Sequence, residues 1–290
     1  MNNIFYRGFS RVFYGLERRR LLNSMPDWLY LKIRFYVVMG RYLNLKNPKS
    51  FNEKIQWLKL NDRKEIYSKL ADKYGVRDYI AKKIGEEYLI PLLGVWDDAD
   101  EIKFDLMPDK YVLKTTHDGG VLLCDKSKGI DRNKIVSIIK SKMARNYYYM
   151  GREWCYKNIT PKIIAEQWLD DDIIDYKFMV FNGKVKCIFT CSERNSDGLK
   201  VTFFDKDWNM LPFERTYPSS KKEIPKPQCL SKMIEIAETL AMGIPFIRVD
   251  MYYVMGKLYI GEMTFYPGGG MEAFQPQEWD YTLGEWLRLD

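Results

Sequence analysis

Lys114, Glu166, Asp250 and Glu262 lie in this order along segments whose residue patterns predict β-strands. A lysine at the end of a strand, followed by a turn that contains glycine, can hold phosphate oxygens with its ammonium and with backbone N–H groups. Two carboxylates on opposite arms of a hairpin can converge on Mg²⁺ ions that bridge phosphates. The order and the strand context therefore predict a nucleotide site, although each residue alone would more often be a solvated strand residue.

The predicted phosphate contacts surround Lys114. Residues 111–114 and 121–124 alternate as strands, and residues 117–120 between them form a turn. The candidate residues in this turn are His117, Gly119 and Gly120. His117 is the only histidine of the chain. We expect it to contact phosphate or support the loop rather than act as a catalytic base.

Residues 166–169 are candidates for contacts with an adenine base. They follow the apolar strand 163–165, so their backbone and the Glu166 carboxylate would face a cleft between two sheets. The candidate residues are Glu166, Gln167 and Leu169. Asp175 follows a few residues later and could accept hydrogen bonds from the ribose hydroxyls.

Asp250 and Glu262 lie on the two arms of the last predicted hairpin, residues 247–254 and 258–265. Arg248 precedes Asp250 by two residues, so both side chains share one face of the strand. A guanidinium there could stabilise charge on a transferring phosphoryl group. The hairpin leads into a Pro-Gly-Gly-Gly run, residues 267–270, which could contact a substrate or could be only a flexible loop.

The elements that must position these residues mix helices with hairpin strands. The dipeptide Asn182-Gly183 favours a type I′ turn between two strands. The mixture predicts an α+β fold with antiparallel sheets rather than a doubly wound parallel sheet, and the chain has no GxGxxG motif. Further predicted features are a capping box at Ser50 and Glu53, a helix over residues 67–84, a helix that Asp131 caps and that runs to residues 147–149, and a helix over residues 230–242.

The net charge of +7 comes from the N-terminal part of the chain, because residues 1–50 hold ten lysines and arginines but only two acidic residues. On a helix, the arginines at positions 7, 11 and 18 lie opposite a face formed by Phe5, Phe9, Val12, Phe13 and Leu16. Such a helix could lie on an anionic membrane, or its aromatic face could pack on the protein itself. Nucleic acid is not predicted as a partner, since no recognised binding motif accompanies the charge.

No apolar run reaches the roughly 18 residues that could cross a bilayer, and Arg7 and Arg11 interrupt any signal-peptide core. The five cysteines are odd in number and lack zinc spacing. We therefore expect a cytoplasmic protein. If the N-terminal helix binds lipid, the protein would be peripheral on the inner face of the plasma membrane.

Seven pieces of the chain together resemble the TupA-like branch of the ATP-grasp superfamily, which is named for teichuronopeptide biosynthesis. The resemblance implies the ATP-grasp fold, in which two antiparallel-sheet subdomains clasp a nucleotide. It also implies a helical subdomain (46–104), a lid (105–165) and a catalytic subdomain (166–290). The basic amphipathic segment (1–45) precedes them and lies outside the most distinctive motifs. The pieces are residues 51–57, 70–77, 111–120, 145–156, 163–169, 175–183 and 261–270.

The resemblance implies an ATP- and Mg²⁺-dependent carboxylate–amine ligase that works through an acyl phosphate. Its partners would be an amino acid or amine and a uronic acid of a surface polysaccharide, or the nucleotide- or lipid-linked precursor. The alternative is a glycosyltransferase of capsule, O-antigen or exopolysaccharide biosynthesis, for which residues 170–172 and 205–207 offer spaced carboxylates. A non-catalytic membrane adaptor is disfavoured because Lys114, Asp250 and Glu262 are intact.

Roles for individual residues also follow from the resemblance. Lys73, on the helix before the lid, would be the first phosphate-contacting lysine, and Lys114 the second. Arg248 and Lys114 would act in catalysis, and residues 117–120 would cover the phosphates. Thr264 stands where the family commonly has asparagine, so a hydroxyl or a water would complete the metal site. The implied adenine and ribose contacts are Glu166, Gln167, Leu169 and Asp175, and the implied metal ligands are Asp250, Glu262 and Thr264.

Residues 145–149 and 152–154 combine aromatic rings with arginines and are candidates for binding the sugar acceptor. Aromatic rings stack on pyranose faces, and arginine pairs with a carboxylate. The alternative is that these residues join the lid to the body of the protein. Substrate candidates are Arg145, Tyr149, Arg152, Trp154, Lys177, Gly268 and Gly269.

Overall fold

The computed structural model describes residues 4–171, 173–193 and 198–289, and for residues 4–7 it describes the backbone only. The helices are α1 (Ile4–Arg18), α2 (Asp27–Met39), α3 (Phe51–Asn61), α4 (Ile66–Ala71), α5 (Gly75–Ile84), α6 (Arg132–Met143), α7 (Leu230–Leu240) and α8 (Glu278–Trp286). The strands are β1 (Leu92–Trp96), β2 (Lys110–Thr115), β3 (Val121–Asp125), β4 (Ile163–Gln167), β5 (Asp175–Phe181), β6 (Lys184–Ser192), β7 (Lys200–Phe204), β8 (Glu214–Arg215), β9 (Phe246–Val254), β10 (Lys257–Thr264) and β11 (Phe274–Gln275).

Several helices and turns begin at the capping and turn residues that the sequence predicts. The Ser50 hydroxyl accepts a hydrogen bond from the Glu53 backbone N–H at 3.3 Å, and the Glu53 carboxylate accepts one from the Ser50 N–H at 3.2 Å. Asp131 caps α6 by accepting from a backbone N–H at 2.9 Å. Asn182 and Gly183 have φ of 45° and 79° between β5 and β6, as a type I′ turn requires.

The predicted helix over residues 67–84 is instead two helices, α4 and α5. Asp72 Oδ1 accepts hydrogen bonds from the backbone N–H groups of Tyr74 at 3.0 Å and Gly75 at 2.5 Å. These bonds compete with the helical pattern and turn the chain. Lys73 therefore lies in the break between two helices, not on a helix. Similarly, α6 ends at Met143, and the tyrosines beyond it form a separate 3-10 turn.

The first sheet has four antiparallel strands in the order β1-β4-β2-β3, and we call it the lid sheet. Side chains alternate across it. Those of Tyr111, Leu113, Ile163 and Ala165 enter one apolar core with Ile139 of α6. Because β1 pairs with β4, the lid sheet takes a strand from the segment 46–104 that was expected to be helical. The predicted boundary at 104/105 leaves β1 outside the lid, and the predicted boundary at 165/166 falls inside β4. Neither boundary therefore follows the lid sheet.

The second sheet has five antiparallel strands in the order β10-β9-β5-β6-β7, and we call it the body sheet. All seven residues of β5, its central strand, are buried. The largest hydrophobic core of the described residues joins this sheet to α3, α4, α5, α7 and α8. The helices of segment 46–104 therefore belong to the same packed unit as the body sheet. With antiparallel sheets, helices on their faces and a helical N-terminal segment, the fold class is α+β, as predicted.

The N-terminal helices α1 and α2 form a third apolar cluster around Tyr30, Leu31 and Phe35, all fully buried. Phe13 of α1 is buried in this cluster, whereas Phe9 and Val12 are exposed by 46% and 60%. The aromatic face of α1 is thus divided between the protein and solvent. Among the helices of the described residues, none combines the length and apolar character needed to cross a membrane.

Candidate active site

Lys114 and Glu166 form a buried ion pair on the lid sheet. Both side chains lie on the face opposite the apolar core, because they alternate with Leu113 and Ala165. Lys114 Nζ is 2.6 Å from Glu166 Oε2. Arg77 of α5 lies 3.5 Å from the other Glu166 oxygen. The sequence did not indicate Arg77, since its partner is far away in the chain.

Arg248, Asp250, Glu262 and Thr264 form a hydrogen-bonded cluster on the body sheet. Arg248 donates to the two oxygens of Asp250 at 2.6 and 2.7 Å, to Glu262 Oε1 at 2.8 Å and to Thr264 Oγ1 at 3.0 Å. Lys177 of β5 donates to Asp250 and lies 2.8 Å from Asp175 Oδ2. The structure therefore brings together the predicted metal residues, Arg248 and Lys177.

A β-bulge at Gly261 places Glu262 directly opposite Asp250. Ile260 pairs with Met251 and Glu262 pairs with Asp250, so Gly261 is an extra residue in β10. Without the bulge, Glu262 would shift by one position and face the opposite side of the sheet. A Cβ on Gly261 would lie 2.7 Å from the Tyr252 ring, so the position favours glycine.

Lys73 joins the lid to the body sheet. Its backbone N–H donates to Thr116 O at 2.9 Å. Its ammonium donates to Asp118 O and lies 3.4 Å from Glu262 Oε2. The break between α4 and α5 therefore places a cation between the lid turn and the predicted metal carboxylates.

Electrostatic effects on two groups agree with the link that Lys73 makes between the lid turn and Glu262. Burial raises the pKa of Tyr252 well above its usual value, and the charges of Asp250, Glu262 and Glu166 raise it further. Burial also acts on Glu262, but Lys73 and Arg248 outweigh it and hold the Glu262 pKa far below its usual range. Glu262 is therefore ionised throughout the neutral range. We call the space between the two sheets at these residues the cleft.

The turn over residues 117–120 is tethered by Asp118, which the sequence did not single out. Asp118 accepts from the Gly120 N–H at 2.7 Å and from the Tyr147 hydroxyl at 3.0 Å, and it pairs with Lys142 at 3.0 Å. His117 is buried, and its Nε2 lies 3.1 Å from Arg145 O. The His117 imidazole thus packs inside the lid, and the exposed backbone at Gly119 is the accessible part of the turn.

The predicted adenine contacts lie at and beyond the end of β4. Glu166 is buried beside Lys114. Gln167 is exposed, with its backbone N–H bound to Pro91 O at 3.0 Å, and Leu169 is partly exposed. Asp175, the predicted ribose contact, is buried beside Lys177. Because Lys177 contacts both Asp175 and Asp250, Asp175 lies close to the predicted metal carboxylates. Its predicted role as a ribose contact does not require this position.

The predicted acceptor residue Arg152 is instead a buried structural residue. It is 1% exposed, it donates to Leu22 O at 2.7 Å, and its guanidinium stacks over the Tyr30 ring at 4.4 Å. Its Nε lies 3.2 Å from Asp27 Oδ1. A guanidinium needs such partners once it leaves water. The structure thus favours the alternative reading of this cluster, in which it joins the lid region to the N-terminal helices.

The other predicted acceptor residues divide into internal contacts and surface positions. Tyr149 lies 5.4 Å from the Arg152 guanidinium, and the Trp154 ring lies 5.0 Å from Arg63. Arg145 is exposed and donates to Ser141 Oγ at 3.4 Å. Tyr149 and Trp154 therefore take part in packing within the chain.

The Pro-Gly-Gly-Gly run forms an ordered loop that α3 holds. Gly268, Gly269 and Gly270 have φ between 57° and 62°, a conformation that favours glycine. Gln56 donates to Gly269 O at 2.9 Å and to Gly270 O at 2.7 Å, and buried Lys59 donates to Gly269 O at 2.7 Å. The spacing of Asn52, Gln56 and Lys59 on one helix face is a signal that the sequence offered for this contact.

Two antiparallel sheets with this cluster of cations and carboxylates between them define a protein of the ATP-grasp class. The family described as TupA-like ATPgrasp matches residues 53–288. The chain therefore belongs to the TupA-like ATP-grasp family, which confirms the resemblance. The helices α1 and α2 precede the matched residues.

Several solved structures resemble parts of this chain. The N5-carboxyaminoimidazole synthetase from Staphylococcus aureus is 13% identical over 68% of this chain and 44% of its own, with a TM-score of 0.41. The D-alanine–D-alanine ligase from Bacillus anthracis is 15% identical over 68% and 55%, with a TM-score of 0.40. The L-amino acid ligase from Bacillus licheniformis is 14% identical over 69% and 42%, with a TM-score of 0.41. This chain thus spans about half the length of each. No curated protein matches it.

Proposed function

We propose that the protein is an ATP- and Mg²⁺-dependent carboxylate–amine ligase. The observation that carries the proposal is the position of Lys73, whose ammonium lies between the lid turn and Glu262. A phosphate chain bound there would meet Lys114 from the lid and Arg248 from the body sheet. These cations suit an anionic phosphate chain, because each already binds carboxylate oxygens in the cleft.

Asp250, Glu262 and Thr264 would hold the Mg²⁺. Their oxygen atoms are the kind of ligand that Mg²⁺ prefers, and phosphate oxygens and water usually complete its coordination. Within the described residues, no group of three or more His, Cys, Asp or Glu side chains could hold a metal ion. Phosphate oxygens and water would therefore have to supply further ligands here. The metal would neutralise charge on the transferring phosphoryl group.

The chain's own residues would orient the phosphates and stabilise their charge. Lys73 and Lys114 would bind phosphate oxygens as point charges, and Arg248 would stabilise the charge that develops on transfer. The γ-phosphoryl group of ATP would pass to a carboxylate and leave ADP. An amine would then form a C–N bond as the C–O bond to phosphate breaks, which yields an amide.

We propose a uronic acid of a surface polysaccharide, or its nucleotide- or lipid-linked precursor, as the carboxylate substrate, and an amino acid or amine as the nucleophile. The support is membership of the TupA-like family. Burial removes Arg152 from the acceptor contacts. Arg145 and Gly268 are the predicted acceptor residues that the structure leaves exposed.

The glycosyltransferase alternative rests on acidic groups that have other roles where they are described. Asp205 accepts from the backbone N–H groups of Asp207 and Asn209, both at 2.8 Å, and so closes a turn. Asp171 pairs with Lys110 at 2.7 Å, and Asp172 lies outside the described residues. We therefore retain the ligase as the proposal.

Thermal unfolding with two nucleotide classes tests the proposal. A ligand that binds only the folded state raises Tm, so Mg-ATP should raise Tm and UDP-sugars should have a smaller effect. Stabilisation by UDP-sugars alone would favour the glycosyltransferase. No response to either nucleotide would favour a non-catalytic adaptor.

We also propose that α1 contacts an anionic membrane surface, which would make a cytoplasmic protein peripheral. Arg11 and Arg18 are exposed on this helix, Arg19 and Arg20 follow it, and Phe9 and Val12 project into solvent beside them. Exposed apolar groups beside cations suit the headgroup region of anionic lipids. Phe13 and Leu16 meanwhile pack against α2 and fix the orientation of the helix.

A further inference from the structure

The side chain of Glu153 points away from that of Arg152, the buried residue before it. Arg152 has a φ of 54°, and its side chain enters the N-terminal helices. Glu153 instead reaches the Pro-Gly-Gly-Gly run of residues 267–270, which we call the glycine loop. Its Oε1 lies 3.4 Å from the position that a Cβ on Gly269 would occupy. It also lies 3.0 Å from the Cβ position of Gly151. Two glycines therefore leave space around this carboxylate.

The Glu153 carboxylate has no hydrogen-bond donor among the described residues. Its nearest cationic neighbour on α3, Lys59, directs its three donors to Gln56 Oε1 at 3.1 Å, Gly151 O at 2.9 Å and Gly269 O at 2.7 Å. Arg34 of α2 also acts on Glu153 electrostatically, but it donates to Glu17 and Tyr30. These cations compensate part of the Glu153 charge and do not occupy its oxygens.

Glu153 is partly exposed and lies against the loop that leaves the body sheet after β10. Burial raises the pKa of the Tyr156 phenol, and the charges of Cys155, Glu153 and Glu262 raise it further. The glycine loop begins at Pro267, three residues after β10 ends at Thr264. A ligand at Glu153 would therefore contact the loop that follows the strand carrying Glu262 and Thr264.

We propose that Glu153, together with Gly151 and Gly269, forms the subsite for the amine substrate and binds its primary ammonium group. This inference rests on the proposed ligase function and specifies which side of the cleft takes the nucleophile. A carboxylate without a donor is matched by a group that brings N–H donors and positive charge. An alcohol or a second carboxylate would not fit equally well.

The same position allows the amine to be activated. The ammonium gives one proton to the Glu153 carboxylate, and the neutral nitrogen forms the C–N bond as the C–O bond to phosphate breaks. The second proton leaves on phosphate, and Glu153 later returns its proton to solvent. Burial raises the pKa of Glu153, which makes this carboxylate a stronger base toward the ammonium.

Hydroxylamine trapping separates this proposal from the ligase function itself. Neutral hydroxylamine converts an acyl phosphate to a hydroxamate without an ammonium. Wild-type protein is incubated with ATP, Mg²⁺, a panel of free and UDP-linked uronic acids, and either hydroxylamine or a mixture of amino acids. Hydroxamate is read by colour and amide by mass. The compared variants are Glu153→Gln, Glu153→Asp and Glu272→Gln.

We expect Glu153→Gln to keep hydroxamate formation within about threefold of wild type and to lower kcat/KM for the amino acid at least about 100-fold, the range of one acid–base group. Glu153→Asp should recover part of this loss. Glu272→Gln is the control, because Glu272 adjoins Gly268 but pairs with Arg215 at 3.0 Å.

Two results would overturn the subsite. One is an unchanged kcat/KM for the amino acid in Glu153→Gln. The other is an equal loss of hydroxamate and amide formation in a variant with wild-type Tm, which would place Glu153 at the phosphorylation step. If wild-type protein forms no hydroxamate with any carboxylate, the ligase proposal itself fails, and the subsite falls with it.

Discussion

Lys73 Nζ lies 3.4 Å from Glu262 Oε2, although one residue is in a helix break and the other is on the edge strand of the body sheet. The same ammonium donates to Asp118 O in the lid turn. A single lysine thus touches both halves of the cleft. Its removal should affect any ligand that has to be bound by the lid and the body together.

Lys73→Met should weaken Mg-ATP binding without unfolding the protein. The substitution keeps the length of the side chain but removes the charge that would face the phosphates. We expect Kd for Mg-ATP, measured by calorimetry, to rise about 10- to 100-fold, because one charged hydrogen bond contributes about 1.5–3 kcal/mol. Lys69→Met is the matched control, since Lys69 is exposed and pairs with Asp78 at 2.7 Å, on the surface. Equal affinities in the two variants would contradict the role of Lys73.

Glu262→Gln should abolish ADP release. An amide is a weaker Mg²⁺ ligand than a carboxylate and leaves Arg248 with one anionic partner fewer. We expect ATP turnover to fall at least about 100-fold, as for loss of one strong electrostatic contact in a transition state. Glu235→Gln on α7 is the control, since Glu235 is an exposed partner of Lys232. Turnover near the wild-type rate in Glu262→Gln would remove this residue from the metal site.

Arg152→Ala should destabilise the protein and leave acceptor KM unchanged. The guanidinium is buried between Leu22 O and the Tyr30 ring, and it faces Asp27. Breaking a buried ion pair costs about 3–5 kcal/mol, which chemical denaturation would resolve. Asp27 keeps Arg63 at 2.6 Å as a second partner, so the lower part of this range is expected. An altered acceptor KM with unchanged stability would return Arg152 to the substrate site.

The sequence predicted the parts of the site that depend on strand alternation. Lys114 alternates with buried Leu113, and Arg248 shares a face with Asp250, so their directions followed from a period of two. The bulge at Gly261 breaks that period in β10. Its position depends on the pairing with β9, which the pattern of one strand does not contain.

The sequence did not predict contacts between distant segments. Strand β1 joins the lid by pairing with β4, about seventy residues later in the chain, and such long-range pairing leaves no local period. The tyrosines and the tryptophan near Arg152 in the chain are compatible both with an acceptor contact and with a structural role. The partners of Arg152 belong to the loop and helix of residues 22–30, more than 120 positions earlier. A local signal does exist for the residues of α3 that hold the glycine loop. The spacing of Asn52, Gln56 and Lys59 places them on one face of the helix.

Lys59 should make the stability of the protein rise with pH between about 8 and 10.5. Burial lowers the pKa of Lys59 to about 8, from a usual value of 10.5. In this range the unfolded chain binds a proton that the folded protein has released, so the free energy of unfolding rises as pH rises. Below pH 8 both states are protonated, and the cost of burying the charge is fully present.

The comparison with Lys59→Met isolates this effect from other titrating groups. The difference in unfolding free energy, wild type minus variant, should increase from pH 8 to pH 10.5 by on the order of 2 kcal/mol. Urea unfolding at several pH values measures it. A difference that stays constant across this range would show that the Lys59 pKa is not lowered.

Exposed residues of α1 should determine binding to anionic vesicles. Phe9→Ser with Val12→Ser removes the apolar groups that face solvent, and keeps Phe13 in the core with Tyr30. In vesicle sedimentation we expect this double variant to bind about 10-fold more weakly to vesicles of phosphatidylglycerol and phosphatidylcholine, because each buried large side chain contributes about 1.5–3 kcal/mol and insertion is partial. Wild type should not bind pure phosphatidylcholine, and raised salt should weaken its binding to the mixed vesicles.

A deletion of residues 1–20 would be a poorer test of the same surface. It would also remove Phe13 and expose Tyr30, so weaker binding could reflect unfolding. Replacing Arg18, Arg19 and Arg20 by glutamine gives a second variant that keeps the core and removes only charge. If both variants bind anionic vesicles as wild type does, α1 does not contact the membrane, and its exposed residues need another partner.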